Sequence, residues 1–427
     1  MSNLEDKVMT PILRTSRAFY IFMIALLIVA SVGVYAYTVQ LSGGMAVTGL
    51  DDIHIWGIYI SNFIFFIGVS HAGIAISATV HIMDLHAYRP IARMAELLTL
   101  VSLAMAGLSI VIDLGRPDRS FYLIIYYLQR FPTSPLIWDI TAVATYLVLS
   151  TTYLYLSLRE DIGKCMNRCT GVRRSLYKLM LPLHTEGEQS TIRRISWWMA
   201  ITILPVMVMV HTTVAWIFAV MSSRPLWFSA FAGPFYIVAA IASGIGSVVV
   251  IAVLLRRIYH WEELISPKVI RAMGVFLSVV TLIYLYFMLG EQLASQYAGP
   301  TADFLVSQSW IFGDYAWIFW PMTIIGMFLP AMTLIAQSIR KAPTNVALTG
   351  FLALVVVIAF WVKRYLLIAS TMPRGITVSI YDPTWVEFAV VAATFAIPTL
   401  LYCVFLKLFP IIELGVAHDM EREGAQA

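Results

Sequence analysis

The sequence predicts an all-α, polytopic membrane protein with ten transmembrane helices. Two observations carry that prediction. Of 427 residues, 60% are hydrophobic and 12% charged, with a mean hydropathy of +0.83. That is more apolar surface than a water-soluble core can enclose, so lipid has to act as solvent. The apolar residues also gather into runs of about 20, the length that crosses a bilayer as a helix.

The ten runs lie near residues 17–40, 54–82, 90–113, 135–158, 194–220, 233–257, 269–290, 314–340, 345–369 and 385–409. The first is long enough to span and lacks a small-residue cleavage pattern followed by a polar start, so it reads as a retained helix and not as a signal peptide. The longest connection, 159–193, is basic and polar; it separates helices one to four (17–158) from helices five to ten (194–409), with residues 1–16 and 410–427 as the termini. Sorted by alternate connections, 21 of the 28 Lys and Arg residues fall on the side of the termini. The positive-inside rule makes that side cytoplasmic. The net charge of +4 reflects this bias and contact with anionic membrane lipids, with no nucleic-acid partner implied.

Cys165, Cys169 and Cys403 fall on the same side, where thiols stay reduced. Three are too few for a four-thiolate iron-sulfur cluster, and Cys169 is followed by Thr170, not by the histidine of a haem-attachment motif. Aromatic residues at span ends, among them Tyr122, Tyr126, Tyr127, Trp138, Trp227, Trp310, Trp317 and Trp385, match an interfacial belt. The opposite connections are extended and moderately hydrophobic, which suggests a docking surface there.

The informative residues are polar groups inside the apolar runs. The stretch GLSIVIDLGRPDR, residues 107–119, ends a helix conventionally, since Gly115 can take a left-handed cap and Pro117 forbids continuation. Asp113 is not explained by that stop. A carboxylate there meets the negative end of the helix dipole at the edge of hydrocarbon and needs a partner, for which Arg116 is nearest. Glu96, Thr99, Ser102, Ala106, Ser109 and Asp113 share one arc of roughly 140° at about 100° per residue. They form a small and polar stripe with a carboxylate at each end. On helix two, Ser70, Ser77, His81 and Asp84 follow spacings of 7, 4 and 3. His71, beside Gly68, Ala75 and Ala78, is either a satisfied structural histidine or a functional one. Asp139 opens helix four, where the dipole favours an acid. The second half adds His211, Thr212, Glu291, Gln292, Lys363, Arg364 and Glu387, which pairing between helices would largely satisfy. No nucleotide loop, zinc-spaced ligand set or nucleophile elbow stands in a credible context.

Residues 56–81, WGIYISNFIFFIGVSHAGIAISATVH, followed by Ala95-Glu96, GLSIVIDLGRPDR and the SPLIWD stretch ending at Asp139, resemble the NrfD/PsrC family of quinone-interacting membrane subunits. Val210-His211-Thr212 and the segment from Tyr381 to Glu387 extend the likeness. Ten spans fit the branch found in alternative complex III and sulfite-reduction-associated complexes. The resemblance implies two four-helix bundles with flanking helices in a prokaryotic cell membrane. It implies a quinone pocket, menaquinone-like, near the extracytoplasmic face, and no haem or iron-sulfur cluster in this chain. It also implies a ferredoxin-like iron-sulfur partner docked over the pocket, leading to molybdopterin-enzyme or c-type cytochrome subunits. Carried over by residue, His71 and Asp113 would meet the quinone head and its protons, with Asn62, Arg116 and Asp139 in support and Arg116 orienting Asp113. Ser77, His81, Asp84, Glu96, Thr99, Ser102 and Ser109 would form a proton path. At 363–364 this chain has Lys-Arg and departs from the family's Glu-Arg pattern.

Three rival readings remain at this level. One is a haem b anchor with His71 and His211 as axial ligands. Another is a secondary transporter using its intramembrane acids. The third is a structural anchor with an inert pocket.

Overall fold

The computed structural model describes residues 4–181, 189–229, 231–297, 299–340, 343–373, 376–377 and 380–418. Its regular structure among these is helical throughout. Ten helices are long and apolar enough to cross a membrane. They are α1 (Arg17–Gly43), α2 (Ile58–Ile82), α3 (Arg89–Asp113), α4 (Pro135–Arg168), α5 (Gln189–Ala219), α6 (Ala232–Ile258), α7 (Pro267–Tyr297), α8 (Ala316–Ile339), α9 (Val346–Ala369) and α10 (Trp385–Leu408). The chain is a multi-pass membrane protein.

The predicted spans match these helices, with one instructive difference. Helix α4 runs ten residues beyond its predicted end, and a further helix, Val172–Met180, lies in the basic connection. Hydropathy marks where lipid ends, not where a helix ends. No proline interrupts residues 159–168, and Asp161 in that extension is buried against Arg93 of α3.

Helices α2 to α5 close into one four-helix ring and α6 to α9 into a second, while α1 and α10 pair with each other along the flank. Helix α2 belongs to the first ring but also packs on α6 and α9, so it joins the bundles. Two glycine contacts set how closely. A Cβ on Gly73 would collide with both the Ala95 carbonyl and Thr99 Oγ1 of α3. On α6, a Cβ at Gly244 would collide with the Ala72 Cβ of α2. Lipid gives apolar helices no hydrophobic reason to associate, so this intimacy, with its dispersion contacts, holds the seam.

The face that carries both termini is capped by chain outside the spans. In the helix Leu4–Leu13, Val8, Met9, Pro11 and Ile12 are buried. Trp261 Nε1 donates to the Lys7 carbonyl at 3.1 Å, and Lys407 Nζ donates to the Pro11 and Arg14 carbonyls at 2.7 and 2.8 Å. Met9 Sδ lies 3.7 Å from the buried Cys165 Sγ. Beneath the cap, Arg93 donates to Asp161 at 2.5 Å, to the Ser157 carbonyl at 2.5 Å and to the Pro410 carbonyl at 3.1 Å. Glu413 adds its charge from 3.9 Å to Arg93 and 3.5 Å to His81.

The opposite face is tied by Glu387. One carboxylate oxygen accepts from the backbone N–H groups of Gly49 (2.6 Å) and Thr384 (3.0 Å), and the other from the Tyr381 hydroxyl. Tyr381 in turn accepts from the Ile58 N–H at 3.0 Å, where α2 begins. Burial first, and then the Glu387 charge and hydrogen bond, push the Tyr381 phenol well up, so it remains a donor.

Replacing Gly73 by Ala is expected to cost about 1–3 kcal/mol of stability, read as a lower midpoint of thermal unfolding. Gly290→Ala, with no neighbour within 4 Å of the added methyl, serves as the control. An unchanged midpoint for Gly73→Ala would contradict the close seam. For Glu413, burial opposes the charge. The hydrogen bond from His81 and the charges of Arg93, His81 and Arg89 outweigh it and hold the carboxyl below its ordinary value. A depressed folded value stabilises above the unfolded pKa and is lost as pH falls through the folded one. Glu413→Gln should therefore lower the unfolding midpoint at pH 7, and the deficit should shrink below about pH 4. A deficit that grows on acidification would show the opposite sign.

Candidate functional site

Polar side chains in the first bundle occupy three depths. Nearest the termini, Glu96 accepts from the Ser77 hydroxyl and from the Ser157 hydroxyl, the latter at 2.8 Å. His81 Nε2 faces Glu413, and its Nδ1 lies 2.7 Å from the Tyr153 hydroxyl and 3.3 Å from Ser77 Oγ. Of the stripe on α3, Glu96, Thr99, Ser102, Ala106 and Ser109 are buried, and Ser77 of α2 is buried beside Glu96. Asp84 stands apart from them: it is exposed and paired with Arg89 and His86, so it does not extend the buried network.

At mid-depth, Thr99 Oγ1 donates to the Ser70 carbonyl at 2.8 Å, and the Tyr146 hydroxyl reaches the same oxygen at 3.3 Å. The His71 ring stacks on Tyr146 with centroids 4.9 Å apart and meets the His211 ring edge-on at 4.7 Å. His71 Nδ1 bonds the Ile67 carbonyl and His211 Nε2 the Tyr236 carbonyl, the latter at 2.8 Å. A carbonyl takes only a donor, so both bonded nitrogens carry hydrogen. His71 Nε2 and His211 Nδ1 are therefore lone-pair acceptors in the neutral rings, and both are buried without a hydrogen-bond partner.

At the opposite end, Gln40 of α1 accepts from the Tyr59 hydroxyl at 2.7 Å and donates to the Ile112 carbonyl at 3.1 Å. This pins the last turn of α3, where Asp113 sits half-buried within electrostatic reach of Glu387 and Tyr59. Asp113 Oδ1 is buried and unpartnered, as is Asp139 Oδ1. Val143, one turn along α4 from Asp139, faces Gly107 of α3. Counting turns from that contact puts both carboxylates at a similar depth.

Three expectations meet a different geometry. Arg116 does not orient Asp113; its guanidinium makes a bidentate pair with Asp118 at 3.0 Å, with both side chains exposed. The bond between neighbours in one short turn outcompetes a partner buried behind a helix end. Asn62 is already satisfied, donating to Thr394 Oγ1 at 2.8 Å and accepting from Trp361 Nε1 at 2.6 Å, so it staples α2 to α9 and α10. His71 and Asp113 are not brought together. Thr99 is level with Ser70, and Asp113 lies fourteen residues further along α3, about 21 Å at 1.5 Å per residue. One ring cannot touch both.

Sequence reasoning missed Gln40, Tyr59, Tyr146, Tyr153, Ser157, Arg93 and Asp161. Gln40 was findable as an amide in the last turn of an apolar run, and Arg93 as one turn before Glu96 on the same face. The tyrosines carry no such signal, because belts and cores use them alike.

A family model described as polysulphide reductase, NrfD, matches residues 46–373. The chain belongs to the NrfD family. Curated relatives align along nearly its whole length. A putative dimethyl sulfoxide reductase membrane subunit from Halobacterium salinarum is 28% identical, covering 91% of this chain and 90% of the relative. The Hdr-like menaquinol oxidoreductase integral membrane subunit of Archaeoglobus fulgidus is 25% identical, covering 95% and 96%. The menaquinone reductase integral membrane subunit of Nitratidesulfovibrio vulgaris is 22% identical, covering 89% and 88%. The NrfD match contains α2 to α9, and so both bundles with Glu96, His71, His211, Asp113 and Asp139, while Gln40, Glu387 and Glu413 lie outside it.

Tyr381→Phe leaves the Ile58 N–H and one Glu387 oxygen without their partner and is expected to cost about 1–3 kcal/mol. It should also speed proteolytic cutting in the 44–57 connection. Unchanged cleavage and stability would remove Tyr381 from its tying role.

Proposed function

We propose that this chain is the quinone-reactive membrane subunit of a respiratory oxidoreductase complex. It exchanges electrons between menaquinone or menaquinol and an iron-sulfur partner seated on the face opposite the termini. The observation that carries the reading is the pair of buried, unpartnered carboxylate oxygens of Asp113 and Asp139 at that end of the first bundle. Buried polar atoms are nearly always satisfied, so orphans in a family of membrane redox subunits fit a polar ligand head. A bound quinone supplies two-electron chemistry linked to two protons.

The residues divide the task by depth. Asp113 Oδ1 accepts a proton from a ring hydroxyl, and Asp139 at similar depth is placed to take the second. Gln40 and Tyr59 hold the α3 terminus, and the Glu387 tie fixes the connections around it. His71 and His211 lie too deep to share that head, and their unpartnered nitrogens stand further in, between Asp113 and Glu96. Glu96, Ser77 and His81 continue the polar column toward the termini, which the basic-residue asymmetry makes cytoplasmic. The names of the relatives, which speak of menaquinone, menaquinol and reductase subunits, support the quinone and the multi-subunit setting. Against the haem reading, the His71 and His211 rings touch each other and do not face across a gap that iron could occupy.

Asp113→Asn should lower menaquinol-linked electron transfer in the purified complex about 100-fold or more, while the complex still elutes intact on size-exclusion chromatography. Turnover equal to the parent would sink the assignment. Failure of the parent chain to quench the fluorescence of a short-chain menaquinone analogue would sink the quinone reading itself.

A further inference from the structure

The second bundle sends one charge into the seam with the first. Arg364 of α9 is 4% exposed. Its Nη1 donates to the Phe360 carbonyl at 2.9 Å and its Nη2 to Ser243 Oγ of α6 at 3.3 Å, while Nε is buried without a partner. No carboxylate among the described residues comes within ion-pairing distance. Glu291, whose field reaches the same tyrosines as Arg364, Tyr236 and Tyr284, is paired with Lys363 at 3.8 Å. The guanidinium lies over the Phe65 ring at 5.8 Å and beside Gly68 of α2, where a Cβ would stand 2.8 Å from Nη2. Gly68 is three residues from His71, about 4.5 Å along the helix axis. The Arg364 charge also reaches the His211 ring.

An uncompensated cation in hydrocarbon is costly, and a neutral amide could make the same two hydrogen bonds without that cost. What arginine adds is the charge, and the charge sits beside the level of the His71 and His211 rings. Toward the termini the column continues through Thr99, Glu96, Ser77 and His81; toward the other face it reaches Gln40, Tyr59 and Asp113. Between them stand two neutral imidazoles with free lone pairs, the groups that would pass a proton from one half to the other. Left alone, such a column would leak protons across the bilayer.

We propose that Arg364 is an electrostatic barrier, contributed by the second bundle through the Gly68 notch, that prevents excess protons from resting on the His71–His211 pair and so keeps the first bundle proton-tight. A fixed arginine charge that excludes protons from a polar pore is a known physical device. The groups facing it are His211 on α5, Tyr236 and Ser243 on α6, Tyr284 on α7 and Gly68 on α2. The proposal rests on the column carrying protons, as in the reading above, but its readout needs no quinone.

The test uses the full chain in proteoliposomes with a potassium-valinomycin potential and an internal pH dye. Wild type is expected to be tight. Arg364→Gln should raise the passive proton flux at least about tenfold, Arg364→Lys should stay near wild type, and Arg364→Gln combined with His211→Phe should return to low flux. Arg364→Met, which fills the notch with a neutral chain, substitutes if the glutamine variant does not assemble. Flux unchanged on neutralising Arg364 overturns the proposal. So does an equal leak with lysine, which would mean that shape and not charge matters, or a leak that survives His211→Phe. Loss of analogue binding by the wild-type chain would overturn the quinone reading while leaving this measurement interpretable.

Discussion

The close approach of α2 to its neighbours is the constraint on which the rest of the molecule depends. Gly73 lets α3 come within hydrogen-bonding range, so Thr99 bonds the Ser70 carbonyl and Ser77 reaches Glu96. Ala72 does the same toward Gly244 of α6, and Gly68 admits Arg364. A water-soluble protein could rely on hydrophobic burial to press such helices together. In lipid that force is missing, and contact distance is set by how small the facing residues are. The small-residue face of α2 therefore decides both the shape of the first bundle and its attachment to the second.

Within that frame the polar groups sort by how completely they are satisfied. At the termini, Arg93, Asp161, Glu413 and His81 compensate one another beneath a cap of chain outside the spans. At the opposite face, Glu387 collects three donors and fixes the start of α2. These ties are structural. Buried atoms without a hydrogen-bond partner remain on His71, His211, Asp113 and Asp139 in the first bundle and on Glu291, Gln292, Lys363 and Arg364 in the second. In the first bundle the open groups are two carboxylates and two imidazoles, side chains that can each take up a proton.

Much of this was legible before any coordinates. Ten spans followed from hydropathy, and the shared face of Glu96 to Asp113, buried as far as Ser109 and half-buried at Asp113, followed from helical periodicity, because each depends on neighbours in sequence. The failures have a shared cause. Proximity along the chain assigns Arg116 to Asp113, but a side chain in a turn takes the partner its own backbone offers, here Asp118. The shared character of His71 and Asp113, each an ionisable group in an apolar run, assigns them to one pocket. Their depth difference depends on the α2–α3 register, which a glycine and a threonine decide and no motif reveals.

The amino-acid sequence by itself determined the solvent, the number of crossings, the asymmetry of charge and the faces along which helices meet. These rest on composition and on a period of 3.6 residues, both local properties. Tertiary structure alone decided which charges pair, how deep each ionisable group lies and which bundle supplies the cation beside the histidines. Those outcomes depend on contacts between residues as far apart as Gly68 and Arg364, or Gly49 and Glu387, whose energies exist only once the helices have packed.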